Sequence, residues 1–241
     1  MSKQPGIYSD IGKDATDLLY GDYNMQPPIC YHFNWLDWSL NLSSGVRASV
    51  PRQEIRALLK FYLPYQRSNK VEMQYLRDYF GYTAGISLTK SPLISFSGVI
   101  GNGFFNTGTD ISLDAATDTV AKCDAGLSFN TNILTASLTL SDKADTLRAL
   151  AYRQILPLTH TGIAAELMYQ FSSKQTTVTL GAQHSPFPFM LIKARVASDG
   201  SLATLFQHDL LSRLCLTIGA EMNVMDAIST ASLGVSLSLK V

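Results

Sequence analysis

From about residue 55 to its C-terminus, this chain alternates apolar and polar side chains with a period of two. Successive side chains of a β-strand point to opposite faces, so the pattern predicts strand after strand with one greasy and one wet face. The segments lie near 55–63, 70–79, 82–89, 93–100, 104–114, 119–129, 132–141, 146–154, 161–171, 175–184, 188–196, 201–208, 213–221 and 229–239. Their lengths are close to the roughly 9 to 11 residues that a tilted strand needs to cross a bilayer. Short turns such as Ser198-Asp199-Gly200 separate them and predict an up-and-down meander.

Three segments show how the faces divide. Ala121, Cys123, Ala125, Leu127 and Phe129 oppose Lys122, Asp124 and Ser128. Ile163, Ala165, Leu167, Tyr169 and Phe171 oppose Glu166 and Gln170, and Met190, Ile192, Ala194 and Val196 oppose Lys193 and Arg195. A soluble barrel turns the apolar set inward, whereas a membrane barrel turns it out to lipid and lines its lumen with the polar set. Periodicity does not distinguish the two, but about fifteen strands are too many for a small filled barrel and suit a water-filled pore.

Composition agrees. Apolar residues make up 46% of the 241 and charged residues only 16%, well below the usual quarter. Nineteen basic and nineteen acidic residues cancel, so no whole-molecule field recruits nucleic acid. No run of the roughly 18 to 20 apolar residues of a spanning helix occurs, which leaves a closed barrel as the way to cross a membrane. The opening MSKQPGIYSD lacks the apolar core of a secretory signal. Cys30, Cys123 and Cys215 are odd in number and widely spaced, which argues against a disulfide framework or a zinc site.

Enzymatic signatures are absent. Ser87-Leu88-Thr89-Lys90 matches S-x-x-K but falls in a strand without its companion motifs. His32, His160, His184 and His208 have no metal-ligand spacing. The sequence therefore implies neither a cofactor nor a catalytic residue.

One helix precedes the strands. Ile7, Tyr8, Ile11, Ala15, Leu18 and Leu19 share an arc at helical spacing, opposite Ser9, Asp10, Lys13, Asp14 and Asp17, and Gly21 follows as a stop. Residues 24–54 resist placement. They hold Pro27, Pro28 and Pro51, a candidate strand at 31–42, and Trp35 and Trp38 as candidate interfacial anchors.

The stretches GIYSDIGKDATDLLYGDY (6–23), LPYQRSNKVEMQY (63–75), SFSGVIGNG (95–103), GTDISLD (108–114), DAGLSF (124–129), LTASLTLSDKADTLRALAY (134–152), TVTLGAQH (177–184) and KARV (193–196) carry a resemblance. Together they resemble the mitochondrial outer-membrane porins, the voltage-dependent anion channels, most closely their plant members. The resemblance implies an all-β transmembrane barrel with an N-terminal amphipathic helix in or near the pore; nineteen is the strand number recorded for this family itself. It also implies a voltage-gated diffusion channel of the mitochondrial outer membrane that passes small hydrophilic metabolites, anions and other inorganic ions. The implied partners are outer-membrane lipids, the sorting and assembly machinery, and further copies in a homo-oligomer. Ser232, Gly234, Leu237 and Leu239 fit the family's sorting signal, in a last strand that would pair with the first and remove both edges.

This chain departs from the family between Gly21-Asp22-Tyr23 and Leu63-Pro64, where roughly 35 residues are missing, three or four strands at about ten residues each. The expectation is 1–23 as a helix segment and 24–241 as a single barrel domain of about 15–16 strands, with 24–60 atypical and shortened. Strand parity favours fifteen, with first and last strands parallel, because losing an even number keeps both termini on the family's side. Ala144 stands where the family's turn usually has glycine, which makes a positive-φ turn harder.

Parity places Glu72, Lys122, Asp124, Arg148, Glu166, Lys193 and Arg195 on the lumen wall, where rings of charge set weak selectivity. Asp10, Lys13, Asp14 and Asp17 are the gating-helix residues the resemblance implies, and their net negative charge speaks against a simple anion preference. Two other readings remain open at this point: a non-conducting barrel for docking or lipid handling, because N-terminal strands are missing, and a soluble all-β carrier.

Overall fold

The computed structural model describes residues 5–21, 23, 42–50, 53–61, 70–87, 92–211, 214–224 and 231–239. The candidate strand at 31–42, except Leu42, lies outside the described residues, as do Trp35, Trp38, Cys30 and His32.

A 3-10 turn (Tyr8–Asp10) leads into α1 (Lys13–Leu19). Fifteen strands follow: β1 (Leu42–Val50), β2 (Gln53–Phe61), β3 (Lys70–Arg77), β4 (Phe80–Ser87), β5 (Leu93–Gly101), β6 (Phe105–Asp114), β7 (Thr119–Asn130), β8 (Leu134–Ser141), β9 (Thr146–Leu156), β10 (Thr161–Gln170), β11 (Gln175–Phe187), β12 (Met190–Ala197), β13 (Ser201–Leu211), β14 (Leu214–Asn223) and β15 (Ala231–Leu239). They form one antiparallel sheet in strict chain order, the meander that the short turns predict. No described helix is long and apolar enough to cross a membrane.

The faces are inverted relative to a soluble protein. On β10, Glu166 is 2% exposed while Ile163 and Leu167 on the opposite row are 45% and 44% exposed. Gln74, Asn106, Asp124, Ser128, Ser137, Thr179, Lys193 and Thr217 are buried on the same inner face, whereas Ile94, Phe96, Ile111, Phe129, Leu138, Leu180 and Val196 lie exposed outside. Such an outer row is stable only against hydrocarbon, so the soluble-carrier reading fails.

Fifteen strands is the expected number, and the one beyond the fourteen segments read from about residue 55 onward is β1 at Leu42–Val50. Its sequence LSSGVRASV alternates poorly, and its pairing with β2 from Leu42↔Phe61 to Val50↔Gln53 defines it instead. Fifteen strands are joined by fourteen antiparallel steps, an even number, so β1 and β15 point the same way. Among the described residues the ladders run from β1 to β15 and none joins β15 to β1.

The N-terminal helix is not continuous. Gly12 has φ +71 and interrupts it between the 3-10 turn and α1, a left-handed conformation that suits glycine. Gly21 is not a left-handed stop; its N–H still donates to Asp17 O, and Tyr20 ends α1 at φ −129. In the β8–β9 turn, Asp142, Lys143 and Ala144 all take positive φ, so Ala144 adopts the conformation its side chain disfavours.

Candidate functional site

Seven residues are too few for a helix to persist alone in water, where about 12 to 15 are already marginal. The inner wall therefore holds α1 in place. Ala15, Leu18 and Leu19 are buried in a cluster with Leu150 of β9 and Ala164 of β10, flanked by Tyr20 and Tyr152. Burying each leucine side chain contributes roughly 1.5 to 3 kcal/mol. The wall makes room by dispensing with side chains: a Cβ on Gly181 would stand 2.6 Å from Leu19 Cδ2 and 2.9 Å from Leu18 Cδ2. At the bend, a Cβ on Gly12 would meet Ser137 Oγ at 2.5 Å and Leu150 Cδ1 at 2.8 Å.

The end of α1 leaves carbonyls with no partner inside the helix and carries the negative pole of its dipole. Two wall cations meet this end. Lys193 Nζ donates to Asp17 O at 2.9 Å and Gly21 O at 3.3 Å. Arg195 donates to Leu19 O at 3.3 Å and to Glu221 Oε1 at 2.8 Å, with its guanidinium 5.1 Å from the Tyr20 and Tyr23 ring centres. The Tyr20 hydroxyl donates to Glu166, which also accepts from Arg148. Burial, followed by the Glu166 bond, raises the Tyr20 hydroxyl above its ordinary range, so it remains a protonated donor. Burial pushes Tyr23 up to about 12 despite the opposing Arg195 charge.

A second cluster lies under the 3-10 turn. Lys122 Nζ bridges Asp110 at 2.8 Å and Asp124 at 3.0 Å. Beside it, a polar cavity of about 270 Å³ is bounded by Tyr8, Glu72, Thr83, Ser95 and Lys122. Burial, then the Asp124 charge, pushes Tyr8 up to about 12, so its hydroxyl stays neutral.

All seven wall residues expected from parity share the inner register, but they do different things. Arg148, Glu166, Lys193 and Arg195 gather around the end of α1. Lys122 and Asp124 belong to the second cluster, and Glu72 accepts from Gln74 at 2.9 Å. Asp10, Lys13, Asp14 and Asp17 are exposed, on the side of the helix away from its buried row. Although Asp14 is exposed, partial desolvation, followed by the Asp17 charge, raises its carboxyl. Of the sorting-signal residues, Ser232 pairs with Glu221, Gly234 with Gly219, Leu237 with Leu216 and Leu239 with Leu214.

Sequence reasoning missed Tyr20, Leu150, Ala164 and Gly181. A signal existed: Leu150 and Ala164 interrupt the wet rows of β9 and β10, and Gly181 removes the side chain from the next strand. An apolar break in a polar row marks where something dry lies against the wall.

A model of the eukaryotic porin family matches residues 36–234. This chain belongs to that family. It is 37% identical over 275 aligned positions to the mitochondrial outer membrane protein porin of 36 kDa of Solanum tuberosum, covering all of both chains. Mitochondrial outer membrane protein porin 1 of Arabidopsis thaliana is 34% identical, again over the full length of both. Mitochondrial outer membrane porin of Triticum aestivum is 34% identical over 98% of each chain. The 275-position alignment exceeds the 241 residues present, so the relatives carry residues that this chain lacks. The family is one of membrane channels rather than enzymes, and its fold is the transmembrane β-barrel that the inverted faces describe. The relatives' names place the chain in the mitochondrial outer membrane.

Proposed function

We propose that this chain is a voltage-gated diffusion channel for small hydrophilic metabolites, anions and other inorganic ions, with α1 as its gating element. The observation that carries the reading is a helix seated on the inner wall of an inverted sheet, its terminal carbonyls held by Lys193 and Arg195. Voltage acts on charge, and the exposed row Asp10, Lys13, Asp14 and Asp17 supplies it on an element light enough to move. Selectivity comes from the wall charges left to the lumen, with Lys122, Asp110 and Asp124 foremost. The functional unit is 24–241 as one barrel around the 1–23 segment, closed by parallel pairing of β15 with β1 and surrounded by lipid. Ser232, Gly234, Leu237 and Leu239 supply the signal read by the sorting machinery, and the exposed outer face is available to further copies in a homo-oligomer.

Planar-bilayer recording of the refolded full chain tests this function. Stepwise conductance that falls at raised voltage of either sign supports it; an electrically silent bilayer containing inserted protein refutes it and favours the docking reading.

A further inference from the structure

The two rims of the sheet differ in a way that the channel function does not require. Turns after odd-numbered strands lie on one rim, and turns after even-numbered strands on the other. On the first rim, each of five successive described turns carries an exposed large apolar side chain: Tyr79, Phe104, Ile133, Leu158 and Phe189. Leu158 is 97% exposed, Tyr79 64% and Ile133 60%. On the other rim the turns read Ala115-Ala116-Thr117-Asp118, Asp142-Lys143-Ala144-Asp145, Ser172-Ser173-Lys174 and Ser198-Asp199-Gly200, and Val224, 64% exposed after β14, is the single exposed large apolar residue among the described turn positions beyond Phe171. Phe171 sits there too, but it continues the outward row of β10 and meets Tyr169 edge-on at 5.1 Å.

Turn tips that face water are normally polar, because an apolar tip gains nothing from exposure. Five in succession form an arc along the described part of the rim. That arc is continuous with the lipid-facing surface: Tyr79 adjoins Phe80, Phe104 adjoins Phe105, Ile133 adjoins Leu134, and Phe189 stacks on Phe187 with ring centres 5.4 Å apart. Aromatic and aliphatic side chains at this level match the boundary between headgroups and acyl chains.

We infer that this rim is a lipid-binding surface, its turn tips embedded in the headgroup boundary of one leaflet, while the opposite rim stands clear in water. The barrel is seated off-centre. β15, an odd-numbered strand, ends at the embedded rim. Soluble molecules then meet the channel mouth mainly over the Asp118, Lys143, Lys174 and Asp199 rim, which is the water-facing one.

Site-directed spin labelling tests the assignment. Nitroxides are placed at Ile133→Cys, Leu158→Cys, Lys143→Cys and Ser173→Cys in the full chain with its native cysteines changed to serine. Membrane-floated protein in phosphatidylcholine–phosphatidylethanolamine vesicles is measured, with Leu167→Cys as the lipid-facing reference. Collision with a water-soluble nickel complex is expected to be several-fold lower at 133 and 158 than at 143 and 173, with oxygen collision close to the Leu167 level. Equal nickel access at all four positions overturns the proposal. So does shielding of 133 and 158 from both reagents, which reports a protein contact such as a second copy.

Discussion

Lys193 Nζ lies 2.9 Å from the carbonyl oxygen of Asp17, joining residues 176 positions apart. Lysine is a strongly hydrated cation that is rarely buried, yet Lys193 is only 6% exposed. Its ammonium replaces water with the carbonyls of Asp17, which already accepts from the Gly21 N–H, and of Gly21, so the helix end supplies acceptors that offset the cation's desolvation.

Replacing Lys193 by Met keeps the stem and removes the donor. A hydrogen bond to a charged group contributes about 1.5 to 3 kcal/mol, and loss at this scale unseats α1 without dissolving the sheet. The Lys193→Met channel is expected to show unstable open levels and faster proteolysis within residues 5–21, with unchanged strand content by circular dichroism. A variant with wild-type protease resistance there would show that the contact contributes little.

Lys122 stands between Asp110 and Asp124, at 2.8 and 3.0 Å. Lys122→Gln leaves two carboxylates without their cation on the wall. Reversal potentials under a salt gradient are expected to shift towards cation preference, most at low ionic strength, where screening is weakest. An unchanged reversal potential would remove this cluster from the selectivity path.

For Asp14 the pH dependence has a definite sign. Its carboxyl is raised above 3.8, first by partial desolvation and then by the Asp17 charge, so the seated state binds the proton more tightly than the unseated one. Ionisation therefore weakens the seat as pH rises from 3.8 through the raised value, and the penalty is complete above it. Asp14→Asn is expected to stabilise the seated helix at neutral pH, and this advantage should vanish on acidification below 3.8. Protease protection of the N-terminus, measured across pH, reads both ends of the curve; an advantage that persists at acid pH would assign the effect to something other than charge.

Ala144 holds φ +71 in a turn where Asp142 and Lys143 are also left-handed. The left-handed conformation costs a non-glycine residue roughly 1 to 2 kcal/mol, part of which glycine gives back as unfolded-chain entropy. Ala144→Gly is expected to raise the thermal midpoint of the detergent-solubilised protein, by up to about 1 kcal/mol of stability. A lower midpoint would show that the turn relaxes in solution.

Alternation with a period of two was legible in the letters because a strand's geometry writes itself directly onto neighbouring residues, as in Ile163, Ala165 and Leu167 against Glu166. Fourteen strands and the wet row followed from it. β1 escaped because LSSGVRASV barely alternates and is defined by its partner β2. Which face looks inward is a property of the closed sheet and its solvent, so periodicity left it open until the buried Glu166 and exposed Ile163 decided it. Only the tertiary structure showed that Lys193 and Arg195 cap a helix rather than stand free. Those contacts join residues about 176 positions apart, and no local pattern encodes a distance that folding alone closes.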